Sequence, residues 1–263
     1  MPKTRKIAAS IYDFPKYYDM IFNADWAKEV RFIDAAFRKH ALRPVKRVFE
    51  PACGTGRLLV KLAKYGYEVS GNDLNPKAVE YCNRRLHRQE LPESVTVADM
   101  SDFRLKRRVD GAFNLINTFR HLGTEEQAEG HIRCMAEALN PGGVYLLGLH
   151  LLASRGELMD EESWTGRRGG TTVTSYMWTK ELDRKGRMEH LGMNIDVVTP
   201  TTEFRIEDEM HYRTYTAAQM RDLLGRVPQF EIAETYTFRC DIKKPEPVDD
   251  WSQDVIYVLR RKK

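Results

Sequence analysis

Short apolar runs alternate with helical stretches between residues 45 and 150 of this chain, and the rhythm then changes. Residues 45–50 read as a buried strand. Leu58, Leu59, Leu62 and Ala63 open a helix that Gly66 ends. Residues 67–71 form a second strand leading to Asp73. Asn75-Pro76 then starts a helix with Ala78, Val79, Cys82 and Leu86 inward. Strands over 95–98, 111–117 and 144–149 follow, with an amphipathic helix over 124–139. Such alternation predicts a parallel sheet covered on both faces.

The flanks differ. Residues 12–40 are aromatic-rich and helical in pattern, with Phe32, Ile33, Ala36 and Phe37 on one face. After His150, residues 154–170 read as a polar loop. Residues 171–181, 187–198 and 202–215 are rich in β-branched and aromatic residues and predict three antiparallel strands. Helical spacing returns at 217–224, and strands are expected at 230–240 and 255–260. The fold class is therefore α/β: a doubly wound, seven-stranded, mostly parallel sheet with a small antiparallel insert after the fifth strand. We divide the chain into a helical cap (1–44), a core (45–150 and 216–263) and an insert (151–215).

Composition refines this picture. The 263 residues include 42 Lys+Arg and 38 Asp+Glu, a net charge of +4. Seven basic residues lie in 1–6 and 260–263 with no acid among them, so the remainder sums to −3. The basic tips read as solvated tails rather than a nucleic-acid contact. No apolar run is long enough for a membrane span, and the N-terminus lacks the apolar core of a secretory signal. The four cysteines show no CxxC spacing and read as reduced thiols of a cytoplasmic protein.

Candidate chemistry collects at strand ends. Glu50-Pro51-Ala52-Cys53-Gly54-Thr55-Gly56 links the first strand to a helix, and glycines there let a ligand approach the backbone. Asp73 and Asp99 end the second and third strands. One suits the two hydroxyls of a ribose and the other an adenine amine. A nicotinamide-binding site would want a third glycine where Leu59 stands. An acid at Glu50 suits an ammonium group better than a pyrophosphate. Ribose, adenine and ammonium without phosphate describe S-adenosylmethionine.

VFEPACGTGR, GNDLNPKAV, VADM, FNLINTFRHL and LNPGGVYLL, taken in order, resemble the motif series of class I S-adenosylmethionine-dependent methyltransferases. The resemblance covers about residues 45–150. It implies that Glu50, Ala52, Cys53, Gly54, Thr55 and Gly56 form the cofactor loop. It implies further that Asp73 holds the ribose beside Leu74, that Asp99 and Met100 meet the adenine, and that Asn117 faces the methionine end. The commonest family pattern has glycine at Ala52, where a methyl group is tolerated if φ is negative. The segment from YYDMIF to Trp26 resembles the N-terminal helix of small-molecule N- and O-methyltransferases, the glycine and amino-sugar enzymes among them. Tyr18 and Trp26 would there contact the methionine end.

The acceptor side is less legible. His121 and His150 are candidate bases, and Trp178, His211, Arg213 and Tyr215 are candidate substrate contacts. The run Asn117-Thr118-Phe119-Arg120 lacks the prolines of amino-methylating nucleic-acid enzymes, and no Pro-Cys nucleophile is present. Residues 151–215 hold nine basic and twelve acidic residues, which disfavours a phosphate backbone as substrate. We expect methylation at N or O of a small polar metabolite, with no metal, no nucleic acid and no membrane partner, and with room for a homo-oligomer. The alternatives are an RNA or protein methyltransferase that uses the basic termini, or a non-catalytic S-adenosylmethionine-binding protein.

Overall fold

Two sheets organise the chain, which a computed structural model describes over residues 5–22, 26–153 and 161–263. Lys3 of the basic tip, and residues 154–160 of the expected loop, lie outside the described residues.

Five parallel strands make up most of the larger sheet: β2 (Arg47–Glu50), β3 (Glu68–Asp73), β4 (Val95–Val97), β5 (Val109–Asn114) and β6 (Leu139–His150). β11 (Phe230–Tyr236) and β12 (Asp254–Arg261) join antiparallel beside β6, giving the order β11-β12-β6-β5-β2-β3-β4. Every residue of β5 is buried, as expected of a strand covered on both faces.

One face is covered by α2 (Trp26–His40), α3 (Leu59–Lys64) and α4 (Pro76–His87). The other is covered by α5 (Glu125–Ala138) and α6 (Ala217–Gly225). The helix starts follow from local chemistry. Asn75 caps α4 by accepting from the amides of Lys77 and Ala78, with Pro76 at the first helical position. Thr124 and Gln127 form a capping box on α5, and Thr216 and Gln219 form one on α6. No helix among the described residues is long and apolar enough to cross a membrane.

The second sheet is a lid of five strands in the order β1-β10-β9-β8-β7. β7 (Glu161–Arg168), β8 (Thr171–Asp183), β9 (Met188–Val198) and β10 (Glu203–Arg213) follow β6 as an antiparallel meander. β1 (Arg5–Ala8) runs parallel to β10, so the N-terminal segment supplies a lid strand as well as helices.

The lid also differs from expectation at β7, which occupies part of the predicted polar loop. Its outward residues Glu161, Ser163, Thr165 and Arg167 are exposed, and this edge position hides the strand signal. Gly166 is required where α1 (Pro15–Ile21) crosses the strand, because a Cβ there would lie 2.0 Å from the Met20 carbonyl oxygen. Two basic-tip residues are structural. Arg260 donates to Glu231 and to the His40 carbonyl, and Arg261 donates to the Leu139 carbonyl.

Between lid and core lies a wedge made of a 3-10 turn (Ile11–Asp13) and α1. Its Ile11, Met20 and Ile21 pack on Val173, Leu191, Met193, Ile195 and Ile206 of the lid. At roughly 1.5–3 kcal/mol for each fully buried aliphatic side chain, this seam fixes the lid over the strand tips.

Candidate active site

β2 ends in a loop bent by left-handed residues: Ala52 at φ 47°, Gly54 at 54° and Gly56 at 66°. The negative φ that would make Ala52 easy to accommodate is not what the loop adopts. A left-handed alanine costs roughly 1–2 kcal/mol. Buried Asn72 holds it there: its Oδ1 accepts from the Ala52 amide at 3.1 Å, and its carbonyl accepts from the Cys53 amide at 2.8 Å. Such stored strain is characteristic of functional turns.

The two glycines serve different ends. At Gly56 a Cβ would lie 2.2 Å from the Cys82 sulfur, so the position allows the loop to close on α4. At Gly54 a Cβ would meet nothing within 4 Å, leaving the backbone open on the ligand side. Cys53 and Thr55 turn inward and are buried, and the Thr55 carbonyl is anchored by Arg85 at 3.0 Å.

Three acids surround this loop. Asp73 accepts from the Gly54 amide through Oδ2 (2.7 Å) and from the Asn75 amide through Oδ1 (2.8 Å), which fixes the carboxylate while leaving each oxygen a further lone pair. Burial raises its pKa, and the two amides oppose that rise. Asp99 accepts the amide and hydroxyl of Ser101 through Oδ1, so Oδ2 is open. Burial pushes the Glu50 carboxyl well above the usual carboxylate range, against the opposing charge of Arg57. Glu50 Oε2 is buried without a hydrogen-bond partner.

A buried acceptor, an open glycine backbone and an oriented carboxylate fit an amino-acid nucleoside. Asp73 would hold the ribose, Asp99 the adenine amine and Glu50 the ammonium group. Met100 is buried, and its carbonyl accepts from Nδ1 of buried His131. Leu74 is 69% exposed at the rim.

Beyond β5 the backbone is left-handed at Ile116 and Asn117, with φ of 61° and 64°. Asn117 Oδ1 accepts the His150 amide at 2.7 Å, tying the tips of β5 and β6 together. His150 itself pairs with Asp254 at 2.6 Å and packs edge-on against Phe238. His121 follows Asn117 and is solvent-accessible, yet lid and wedge surround it. Its Nε2 lies 2.8 Å from the Tyr12 hydroxyl, and its ring stands edge-on to Tyr212, 4.8 Å between centroids. Desolvation in this recess, aided by the Arg120 charge, lowers its pKa to about 4. Tyr18 packs against Tyr12 and Phe22 and lies close enough to Asp73, Glu50 and Arg57 to feel their charges.

The other sequence candidates are placed elsewhere. Trp26 packs on the helical side of the core beneath the Lys61 ammonium, 4.1 Å from the ring centroid. Trp178 stacks on Tyr176, and His211 on His190, on the outer face of the lid. Strand alternation sends these side chains away from the cleft. Tyr215 is fully buried against Phe119. Arg213 binds Glu125 and the Gly123 carbonyl at the lid–core seam.

Four residues not singled out from the sequence complete the site. Tyr12 and Tyr212 flank His121. Arg57 grips Glu29 with both guanidinium nitrogens beneath the cofactor loop. Arg120 spans from core to lid to pair with buried Glu189. Arg57 directly follows the glycine motif, which is a signal within reach. Tyr12 and Tyr212 give none, because their meeting depends on how the lid docks.

Residues 48–143 match the methyltransferase domain family. The chain is 27% identical over 138 residues to dTDP-3-amino-3,4,6-trideoxy-alpha-D-glucopyranose N,N-dimethyltransferase of Streptomyces venezuelae, covering 51% of this chain and 56% of that protein. Among solved structures it resembles an S-adenosylmethionine-dependent methyltransferase from Clostridium acetobutylicum. The TM-score is 0.78 at 15% identity, covering 95% of this chain and 98% of that one. It also resembles an amino pentose methyltransferase from Micromonospora echinaspora solved with S-adenosylmethionine bound. That TM-score is 0.70 at 18% identity, over 97% and 98% of the two chains.

Residues 48–143 thus carry a methyltransferase domain, on a fold shared with S-adenosylmethionine-dependent methyltransferases.

Proposed function

We propose that this enzyme methylates a nitrogen or oxygen of a small polar molecule held between the strand tips and the lid. The observation that carries this reading is the position of His121, between Tyr12 of the wedge and Tyr212 of the lid. A site bordered by the turn after β5, the wedge and the lid suits a small acceptor, and the similarity to an amino-sugar N,N-dimethyltransferase and an amino pentose methyltransferase supports the same reading. The engagement of Arg260 and Arg261 within the fold removes part of the basic surface that a macromolecular substrate would use. The absence of disulfides among the described cysteines is compatible with a cytoplasmic enzyme.

The cofactor supplies a methyl group already activated on a sulfonium. The protein therefore has to orient the acceptor and exclude water. His121 is neutral at physiological pH, since its pKa lies near 4. A neutral imidazole accepts a hydrogen bond from the acceptor N–H or O–H and aims its lone pair. Tyr12 fixes the ring. Asp73, Asp99 and Glu50 would hold the cofactor, and the proton that the acceptor sheds on methylation would pass to the His121 imidazole and from its solvent-accessible ring to water.

Calorimetry with S-adenosylmethionine and S-adenosylhomocysteine tests the cofactor half. Asp73→Ala should weaken binding by about 1–3 kcal/mol, the value of a lost buried acceptor. Mass spectrometry of a panel of small amines and alcohols incubated with enzyme and cofactor tests the rest. Transfer only to RNA or protein would overturn the small-molecule reading.

A further inference from the structure

The strand register puts Glu162 opposite Met177 on β8, which in turn pairs Met193 on β9. Met193 belongs to the buried inner face of the lid, so Glu162 projects toward the core while Glu161 and Ser163 face solvent. Buried Glu189 and Tyr212 lie on that same inner face. Glu162 is half-buried and lies within electrostatic reach of His150 and Asp254 on the core and Glu189 on the lid. It therefore stands where the two halves of the cleft meet.

The other inward acids already have partners. Glu189 binds Arg120 and the Thr179 hydroxyl. Asp254 binds His150, and Asp208 accepts the amides of Ile11 and Glu209. The Glu162 carboxylate makes no hydrogen bond or ion pair with any described residue. A half-buried carboxylate without a partner bears a desolvation cost that a bound cation offsets.

We propose that Glu162 selects the acceptor by receiving a protonated amine, making cationic amines the substrate class. The inference rests on the methyl-transfer reading above. Charge complementarity carries it: an anionic acceptor would face repulsion from Glu162, and a neutral alcohol would forgo the ion pair. The role is recognition. The ammonium group docks at Glu162, and the nitrogen gives up one proton to solvent before it attacks.

The test uses enzyme loaded with S-adenosylhomocysteine, which permits acceptor binding without transfer. A panel of primary amines, each paired with the alcohol of the same skeleton and including glucosamine with glucose, is titrated by calorimetry. The wild type should bind at least one amine tenfold or more tightly than its alcohol. Glu162→Gln should reduce that ratio to near one with S-adenosylhomocysteine affinity unchanged, and Glu162→Asp should keep most of it. Because the ratio is taken within one variant, a general loss of folded protein does not mimic the effect. If the wild type binds S-adenosylhomocysteine but shows no amine preference, or if Glu162→Gln retains the preference, this proposal falls alone. If it binds no S-adenosylhomocysteine, the methyl-transfer reading falls with it.

Discussion

The Tyr12 hydroxyl and Nε2 of His121 lie 2.8 Å apart although 109 positions separate them in the chain. The contact joins the N-terminal wedge to the turn after β5, so the acceptor side of the cleft is complete only when the wedge is docked. Burial raises the Tyr12 pKa well above its ordinary value, which keeps the phenol protonated as a donor or a fixed partner.

This pair makes a prediction about pH. His121 titrates near 4, so it is neutral above that value and becomes charged as pH falls through it. The profile of kcat/KM should therefore show no histidine inflection near 6.5, and should rise with the ionisation of the acceptor itself. Tyr12→Phe should lower kcat/KM about three- to tenfold, the worth of one positioning hydrogen bond. His121→Ala should cost about a hundredfold. Cofactor affinity should change little in either variant, and an inflection near 6.5 that disappears in His121→Ala would contradict the assignment.

Glu50 predicts proton release. Its carboxyl is raised well above the ordinary range by burial in the ligand-free protein, and a nearby ammonium group favours the charged form. Cofactor binding should then expel a proton at pH values between the free and bound pKa. Affinity should fall as pH drops through the free value. Calorimetry in two buffers of different ionisation enthalpy measures this directly. Glu50→Gln should abolish the buffer dependence, and equal heats in both buffers for the wild type would rule the coupling out.

A third prediction concerns the lid. Arg120 is buried, binds Glu189, donates to the Arg213 carbonyl at 3.1 Å and lies 5.0 Å from the centre of the Tyr212 ring. Arg120→Met leaves Glu189 buried without its counter-charge and should destabilise the protein by about 3–5 kcal/mol. Adding Glu189→Leu should recover much of that loss, because a matched apolar pair replaces a matched ionic one. Denaturant unfolding of the wild type and both variants measures both effects. A single substitution costing less than about 1 kcal/mol would show that the pair does not hold the lid.

How much of this was legible in advance varies by region. The central strands, their order along the chain and the acids at their tips follow from local patterns: apolar runs, a glycine turn, Asp73 at the end of one strand and Asp99 just past another. The lid was legible only in part. β8, β9 and β10 announce themselves by β-branched and aromatic content. β7 is an edge strand whose outward residues are polar, and β1 pairs with β10 across 199 positions, from Arg5 to Phe204. Nothing local marks such a pairing. Trp178 and His211 carry the chemistry of a substrate site, yet their side of the strand is set by the face of the lid that packs on the wedge.

By itself the sequence determined the cofactor half of this enzyme. That half is built from contiguous segments, each strand presenting its own tip and each loop its own glycines, so spacing along the chain translates into spacing in space. Only the tertiary structure decided the acceptor half. Tyr12, Glu162 and Tyr212, none of them candidates from the sequence, come from the wedge, an edge strand and the last strand of the meander, whereas His121 was a candidate whose surroundings the sequence left open. What brings them together is the burial of the wedge between two sheets. Burial of that kind depends on surfaces that exist only after each sheet has formed.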